Sequence, residues 1–222
     1  MMAFDTELAR FNMVEQQVRP WDVLDQRVLD VFRLTPREKF VPQALRLHAF
    51  TDTLLPLGHG EVMMPPVVEG RLLQSLDIQK HEHVLEIGTG SGFLTACLAR
   101  LGASVLSVDI HADFTHAADE RLSALDIDNV RLETGDALGG WQPNPDHGFD
   151  VIVVTGALLT IPDTLRSHLK IGGRLFVITG RAPAMAACVL TRVDETAWSE
   201  RQVFETCLPY LVGAEPAPRF VF

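Results

Sequence analysis

Residues 84–95 of the chain read Val84-Leu85-Glu86-Ile87-Gly88-Thr89-Gly90-Ser91-Gly92-Phe93-Leu94-Thr95. The apolar start predicts a short buried strand, the three glycines predict a tight turn, and the residues after them predict a helix. Glycine at such a turn lets a ligand approach main-chain N–H groups without a Cβ in the way. The helix N-terminus adds donors and a partial positive charge. Taken alone, the pattern also fits a strand–helix turn that binds nothing.

Two acidic residues follow this turn at the ends of the next two predicted strands. Asp109 ends the strand predicted at 104–109, about twenty residues past the glycines, where a carboxylate accepts hydrogen bonds from ribose hydroxyls in nucleotide-binding α/β folds. Asp136 follows the strand predicted at 130–133, where a carboxylate can accept from an adenine amino group. Each aspartate alone is equally well explained as the cap of the following helix. Together, and in this order, they favour a nucleotide-like ligand.

Two cofactors fit these features. NAD uses the same ribose carboxylate, but its loop has the pattern G-x-G-x-x-G, whereas residues 88–93 read G-T-G-S-G-F. An E-x-G-x-G-x-G loop resembles that of class I S-adenosylmethionine-dependent methyltransferases, in which the residue matching Glu86 lies near the methionine amino group. We therefore favour S-adenosylmethionine over NAD. The predicted cofactor-binding residues are Glu86, Gly88, Thr89, Gly90, Ser91, Gly92, Asp109, Ile110, Asp136 and Ala137.

From residue 81 onward, the hydrophobic pattern alternates between strands and helices. Strands are predicted at 84–87, 104–109, 130–133, 150–155 and 174–179, and helices near 93–101, 113–125 and 162–169. Nearly continuous apolar strands suit a parallel sheet that is covered on both faces. Gly172-Gly173 predicts a turn, and the strand-like stretches 187–193 and 199–206 predict an antiparallel hairpin. We expect an α/β, Rossmann-like fold with a mostly parallel sheet, helices on both faces and this C-terminal hairpin.

Residues before this alternation predict helices and loops without clear strands. Asp22 precedes an apolar stripe at helical spacing that reaches Phe32, which predicts a capped helix. A second helix is predicted over 43–50, a loop rich in glycine and proline over 55–66, and a third helix from Pro66 to Leu76.

The domain organisation follows from this division. We expect residues 1–80 to form an N-terminal helical cap with an acceptor-side loop, and residues 81–222 to form the cofactor-binding domain, the two making one compact unit. The apolar end, Phe220-Val221-Phe222, is expected to pack back onto the domain or onto a partner.

Composition narrows the class of protein. The formal net charge of −10 argues against a nucleic-acid substrate, because binding phosphates requires a basic face. The three cysteines lack C-x-x-C spacing and suggest neither a disulfide framework nor a metal site. No apolar run approaches the ~20 residues that span a bilayer, and the first residues lack the pattern of a signal peptide. We expect a soluble cytoplasmic protein that binds no nucleic acid, membrane or metal.

Several separate segments resemble protein-L-isoaspartate O-methyltransferases, in colinear order from about Arg27 to Leu211. They are T-P-R-E-K-F-V-P at 35–42, L-P-L-G-H-G at 55–60, the glycine-rich loop, Gly135-Asp136 with Trp141, Ile161-Pro162 and Gly172-Gly173. The resemblance implies a class I methyltransferase fold. It also implies transfer of a methyl group from S-adenosylmethionine to the α-carboxylate of an isoaspartyl residue in damaged proteins.

The sequence departs from this family on the acceptor side. After L-P-x-G-x-G the family usually continues with Gln-Thr-Ile-Ser, one residue and Pro, whereas residues 61–66 read Glu-Val-Met-Met-Pro-Pro. Met64 therefore replaces the serine associated with the active site, and Glu61 adds a negative charge. No catalytic residue is predicted with Met64 in that position. The acceptor-side candidates are His59, Met63, Met64, Pro65, Pro66 and Thr155.

Three functions remain open at this point. The first is methylation of a protein carboxylate, and the second is methylation of another, less polar acceptor. The third is binding of the cofactor without catalysis, in a protein that serves in protein recognition.

Overall fold

The computed structural model describes residues 4–143 and 148–217. Its strands are β1 (Leu55–Gly58), β2 (Glu61–Met63), β3 (His83–Ile87), β4 (Ser104–Asp109), β5 (Val130–Thr134), β6 (Phe149–Leu158), β7 (Leu169–Arg181), β8 (Ala184–Arg192) and β9 (Trp198–Thr206). The main sheet has the order β5-β4-β3-β6-β7-β8-β9. The β5 to β7 part is parallel, and β8 and β9 pair antiparallel. The predicted mostly parallel sheet with a C-terminal hairpin is confirmed.

The α-helices of the described residues include elements on both faces of this sheet. They are α1 (Thr6–Asn12), α2 (Gln26–Leu34), α3 (Pro66–Leu76), α4 (Phe93–Leu101), α5 (Ala112–Ser123) and α6 (Asp163–Ser167). Alternate residues of a strand join different hydrophobic clusters: Val84 belongs to one, and its neighbour Leu85 belongs to the other. Because side chains alternate across a strand, both faces of the sheet are covered, as the apolar strands predict.

The prediction that Asp22 caps the helix reaching Phe32, which is α2, is wrong. Asp22 lies in the left-handed region after a 3₁₀ turn, and Asp25 caps α2 by accepting the Arg27 N–H. The backbone N–H groups of Leu24 and Asp25 both donate to the side chain of Gln74 on α3. These tertiary hydrogen bonds hold residues 23–25 outside the helix.

The helix predicted over 43–50 is shorter and tighter than expected. It is a 3₁₀ helix over Gln43–His48, preceded by Pro42 in an extended conformation.

The loop predicted over 55–66 is instead mostly a hairpin of β1 and β2. Its two connecting residues, His59 and Gly60, have φ values of 54° and 87°. Positive φ at both positions is the geometry that closes tight hairpins. The sequence pattern did not predict the hairpin, because the first of these two positions is not a glycine.

The turn predicted at Gly172-Gly173 lies inside β7 and not before it. Phe149 pairs with Leu169 and Val151 pairs with Arg174, so the register shifts between these two pairs. The two glycines lie among the extra residues that β7 has at this irregularity, where glycine accommodates an unpaired backbone.

The N-terminal segment shares its core with the sheet domain. One hydrophobic cluster contains Met13, Phe32 and Phe50 together with Val84 and Phe176. The division at residue 80 stays a prediction, and Phe220-Val221-Phe222 lies outside the described residues. Within the ranges 4–143 and 148–217, no helix is both long enough and apolar enough to cross a membrane.

Candidate functional site

A cavity lies at the carboxyl ends of β3, β4, β5 and β6 and encloses about 740 Å³ of empty space, including its open mouth. Strand order reverses between β3 and β6, and ligands of open α/β sheets bind at this kind of switch point. The lining is Leu57, Glu61, Val62, Met64, Ile87, Gly88, Gly90, Val108, Asp109, Ile110, His111, Phe114, Gly135, Asp136, Ala137, Leu138, Thr155, Gly156, Leu208, Pro209, Leu211 and Val212.

The glycine-rich turn forms one wall of the cavity. Gly88 and Gly90 line it with φ values of 94° and 51°. A Cβ on Gly90 would lie 3.2 Å from the Leu57 side chain on β1. The backbone conformation therefore favours glycine here, and a larger residue would also have to displace the Leu57 side chain.

Asp109 connects the end of β4 to this turn. Its carboxylate accepts the Gly90 N–H at 2.8 Å and the His111 N–H at 2.9 Å. Only 7% of the residue is exposed, and it lines the cavity. A carboxylate held in this way keeps free lone pairs directed at a ligand, since each oxygen has two acceptor sites.

Asp136 and Ala137 line the opposite part of the cavity after β5. The Asp136 carboxylate accepts the N–H groups of Leu138 at 2.9 Å and Gly139 at 2.7 Å through one oxygen. These bonds fix the side chain in a local turn, and Asp136 remains exposed.

Glu86 lies apart from the cavity lining. Its carboxyl group is completely buried and accepts hydrogen bonds from the hydroxyls of Thr95 and Ser107. Burial raises the pKa of Glu86 to about 8, although the two hydroxyls oppose this shift. Thr89, Ser91 and Gly92 are also not among the lining residues. The cofactor role of all ten predicted residues stays a prediction.

The acceptor-side candidates divide into two groups. Met64 and Thr155 line the cavity, whereas Met63 is buried in the core, Pro65 precedes α3, and Pro66 begins it. Met64 supplies no hydrogen-bond donor from its side chain. The Thr155 hydroxyl lies 2.9 Å and 2.8 Å from the carbonyl oxygens of Ile87 and Gly88, so its hydrogen points into the turn. Neither residue replaces the donor that a serine would offer.

His59 lies at the rim of the cavity, outside the lining. Its Nε2 is 2.9 Å from the Asp113 carboxylate, and its ring stacks on that of His111 at 4.1 Å. Potential metal-ligand atoms of these three residues lie within 4.8 Å of one another. The hydrogen bond between His59 and Asp113 satisfies these two groups without an ion.

Arg37 is a site-positioning residue that sequence reasoning did not assign, although it lies in the P-R-E segment. Its completely buried guanidinium donates to the Met64 carbonyl at 2.6 Å and to the Ala49 carbonyl at 2.8 Å, and it pairs with the Glu69 carboxylate. Arg37 thus holds the backbone of Met64 in place from beneath the cavity.

The C-terminal segment closes the cavity and was also missed. Leu208, Pro209, Leu211 and Val212 line it, and the segment is hydrogen-bonded to Ala157 of β6 through the Pro209 carbonyl at 2.8 Å. No motif marks these residues, because their role depends on a contact across about fifty positions of sequence.

The geometry fits one cofactor well. Two carboxylates stand at the ends of β4 and β5, and positive-φ glycines line the wall between β3 and α4. This fold and site define a class I S-adenosylmethionine-dependent methyltransferase.

The model of the family described as protein-L-isoaspartate(D-aspartate) O-methyltransferase (PCMT) matches residues 10–208. The chain belongs to this family. It is 38% identical over 188 residues to the protein-L-isoaspartate O-methyltransferase of Methylorubrum extorquens, covering 85% of this chain and 81% of that one. It is 33% identical over 213 residues to that of Brucella anthropi, covering 96% and 97%.

The fold is shared with the crystal structure of a Plasmodium falciparum protein assigned to the same family, in complex with S-adenosyl-L-homocysteine. The TM-score is 0.77 at 17% identity, over 94% of this chain and 99% of that one. The predicted family, fold class and cofactor are confirmed.

Proposed function

We propose that this protein methylates the α-carboxylate of isoaspartyl residues in damaged proteins, the acceptor that its relatives' names imply. The supporting observation is that one continuous cavity joins the Asp109 and Asp136 side to the Met64 and Thr155 side. Asp109 and Asp136 would hold the methyl donor at the first side, and Met64 and Thr155 would face the acceptor at the second. S-adenosylmethionine supplies an electrophilic methyl group on a sulfonium when bound.

The reaction requires little acid–base catalysis by the protein. A carboxylate acceptor is already ionised at neutral pH. One of its oxygens forms the new bond to the methyl carbon while the sulfur–carbon bond breaks and its electron pair returns to sulfur. The products are a methyl ester and a neutral thioether. The chain contributes position and exclusion of water, which the apolar residues Val62, Met64 and Leu208 provide at this side of the cavity.

Met64 is the residue on which the expected rate of isoaspartyl methylation depends. A hydroxyl that donates to a charged acceptor contributes roughly 1–3 kcal/mol, and Met64 offers no such donor. We expect isoaspartyl methylation about ten- to hundredfold slower than in a relative that carries serine at this position. The same feature favours a second candidate, a less polar acceptor, because a buried thioether presents soft apolar surface.

A pair of peptides that differ only in one aspartyl linkage tests the acceptor. With labelled S-adenosylmethionine, the isoaspartyl peptide is expected to gain an alkali-labile label and the normal aspartyl peptide none. A label on a small apolar acceptor, with none on either peptide, would favour the second candidate. Cofactor binding without turnover on any acceptor would favour a non-catalytic role in protein recognition.

A cytoplasmic location is part of this proposal. Cys97 and Cys188 are buried free thiols, and Cys207 is an exposed one. Free thiols persist in reducing compartments.

The absence of lysine and arginine from the cavity lining in the described ranges supports an acceptor other than nucleic acid.

A further inference from the structure

Glu61 gives the cavity a third carboxyl group in addition to Asp109 and Asp136. It lies at the first position of β2, directly after the His59-Gly60 turn, and its side chain lines the cavity. Among the described residues that form this lining, His111 is the one basic side chain. The cavity lining is therefore rich in negative charge, and a bound ligand lies close to these carboxyl groups.

Of the three carboxyl groups in the cavity, that of Glu61 has the fewest hydrogen bonds with the protein. The carboxylates of Asp109 and Asp136 each accept two backbone N–H groups. Glu61 accepts no hydrogen bond within the described ranges, and the influences on its ionisation are burial and the charges of neighbouring groups. Its charge is thus available to a cation in the cavity.

The donor and the product of the proposed reaction differ in charge at one atom. S-adenosylmethionine carries a sulfonium, and S-adenosylhomocysteine carries a neutral thioether at the same place. A carboxylate near that atom attracts the first ligand and is nearly indifferent to the second. A neutral residue in its place would distinguish the two ligands much less.

We propose that Glu61 is a specificity residue that makes this cavity favour cationic S-adenosylmethionine over its neutral product S-adenosylhomocysteine, and so limits inhibition by product. The proposal rests on the proposed function, since it takes these two molecules as the ligands of the site.

The ionisation of Glu61 agrees with this role. Burial raises the pKa of Glu61 above its usual value, and the charges of Asp109 and Glu215 raise it further, while His111 and His59 oppose the shift. A cation in the cavity stabilises the ionised form and lowers this pKa again. At pH values near the pKa that Glu61 has in the ligand-free protein, binding of S-adenosylmethionine therefore releases a proton from Glu61. Binding of S-adenosylhomocysteine does not.

Calorimetry with both ligands tests the proposal. Titrations at a lower pH close to the usual pKa of a glutamate, about 4.3, and at a higher pH close to neutrality, each in two buffers of different ionisation enthalpy, give the ratio of affinities and the number of protons released. For the wild type we expect the preference for S-adenosylmethionine to grow as the pH rises and Glu61 ionises. His111 and His59, the basic groups that act on Glu61, are both retained in Glu61→Gln, so this variant isolates the contribution of Glu61.

The variant Glu61→Gln is expected to lower the ratio of affinities about tenfold at the higher pH and to remove the proton release. Its affinity for S-adenosylhomocysteine should stay within about twofold of wild type. Glu205→Gln, which removes an exposed carboxylate from β9, is the matched control and should behave as wild type.

An unchanged ratio and unchanged proton release in Glu61→Gln, with both ligands bound, would overturn the proposal alone. Failure of the wild type to bind either ligand would overturn the proposed function with it. If Glu61→Gln does not fold, proton release by the wild-type protein still tests the proposal. Equal proton release with the two ligands would contradict the role of Glu61.

Discussion

The Asp109 carboxylate accepts the Gly90 N–H at 2.8 Å and so ties the end of β4 to the glycine-rich turn after β3. One residue thereby serves both the shape of the turn and the electrostatics of the cavity. A ligand that bonds to Asp109 also meets a turn whose backbone this carboxylate has already fixed, which reduces the ordering cost of binding.

Replacing Asp109 by alanine is expected to weaken S-adenosylmethionine binding by roughly 1–3 kcal/mol, because a charged acceptor for ribose hydroxyls is lost. Calorimetry measures the change, and thermal unfolding shows whether the variant is folded. Asp119→Ala, on the exposed side of α5, should bind as wild type. NAD should bind at least about tenfold more weakly than S-adenosylmethionine. Wild-type affinity in Asp109→Ala would remove this residue from the site.

Gly90→Val should abolish cofactor binding while leaving most of the fold intact. Its φ of 51° is unfavourable for a branched residue, and the added atoms would meet Leu57 at the cavity wall. Gly172→Val is the matched control, since Gly172 also has positive φ but no atom within 4 Å of an added Cβ. If Gly90→Val binds the cofactor normally, the turn has only a structural role.

Met64→Ser should raise turnover on an isoaspartyl peptide by about ten- to hundredfold, because the hydroxyl restores a donor for the incoming carboxylate. Both Met64 and Met63 are 4% exposed, but only Met64 lines the cavity. Met63→Ser therefore controls for lost packing and should destabilise the protein without raising turnover. No gain in Met64→Ser would point to Glu61 or the wider pocket as an acceptor site rebuilt for another substrate.

Glu86 should make the protein less stable as the pH rises. Its folded-state pKa of about 8 exceeds the value of 4.5 for an exposed glutamate, so between these values the folded state keeps a proton that the unfolded state has lost. The free energy of unfolding should fall progressively across this window because of Glu86. Thermal unfolding across the window should show a smaller decline in Glu86→Gln, and the exposed Glu195→Gln should follow wild type. An unchanged pH profile in Glu86→Gln would show that Glu86 is ionised in the folded protein.

The parts of the fold that depend on local pattern were predicted well from the sequence. The strands β3 to β6, the helix α4 and the aspartates at the strand ends follow from hydrophobic periodicity and glycine placement, which act over a few residues. The cap of α2 was misplaced because Gln74, fifty positions from Leu24, holds residues 23–25 outside the helix.

The acceptor side was predicted less completely for the same reason. Arg37 reaches the Met64 carbonyl across 27 positions, and Leu208 to Val212 enter the cavity through a bridge to β6. These contacts are tertiary and leave no periodic signal. The hydrogen bonds of the Glu86 carboxyl group to Thr95 and Ser107 were also not predicted. Its contact with the cofactor stays a prediction.

Mass spectrometry of an isoaspartyl peptide incubated with wild-type protein and S-adenosylmethionine tests the central claim most directly. We expect the mass of one added methyl group on the isoaspartyl residue, lost again in alkali, and no such gain with Gly90→Val. The absence of this methyl ester from wild-type and Met64→Ser reactions, in samples that bind S-adenosylmethionine, would contradict the account.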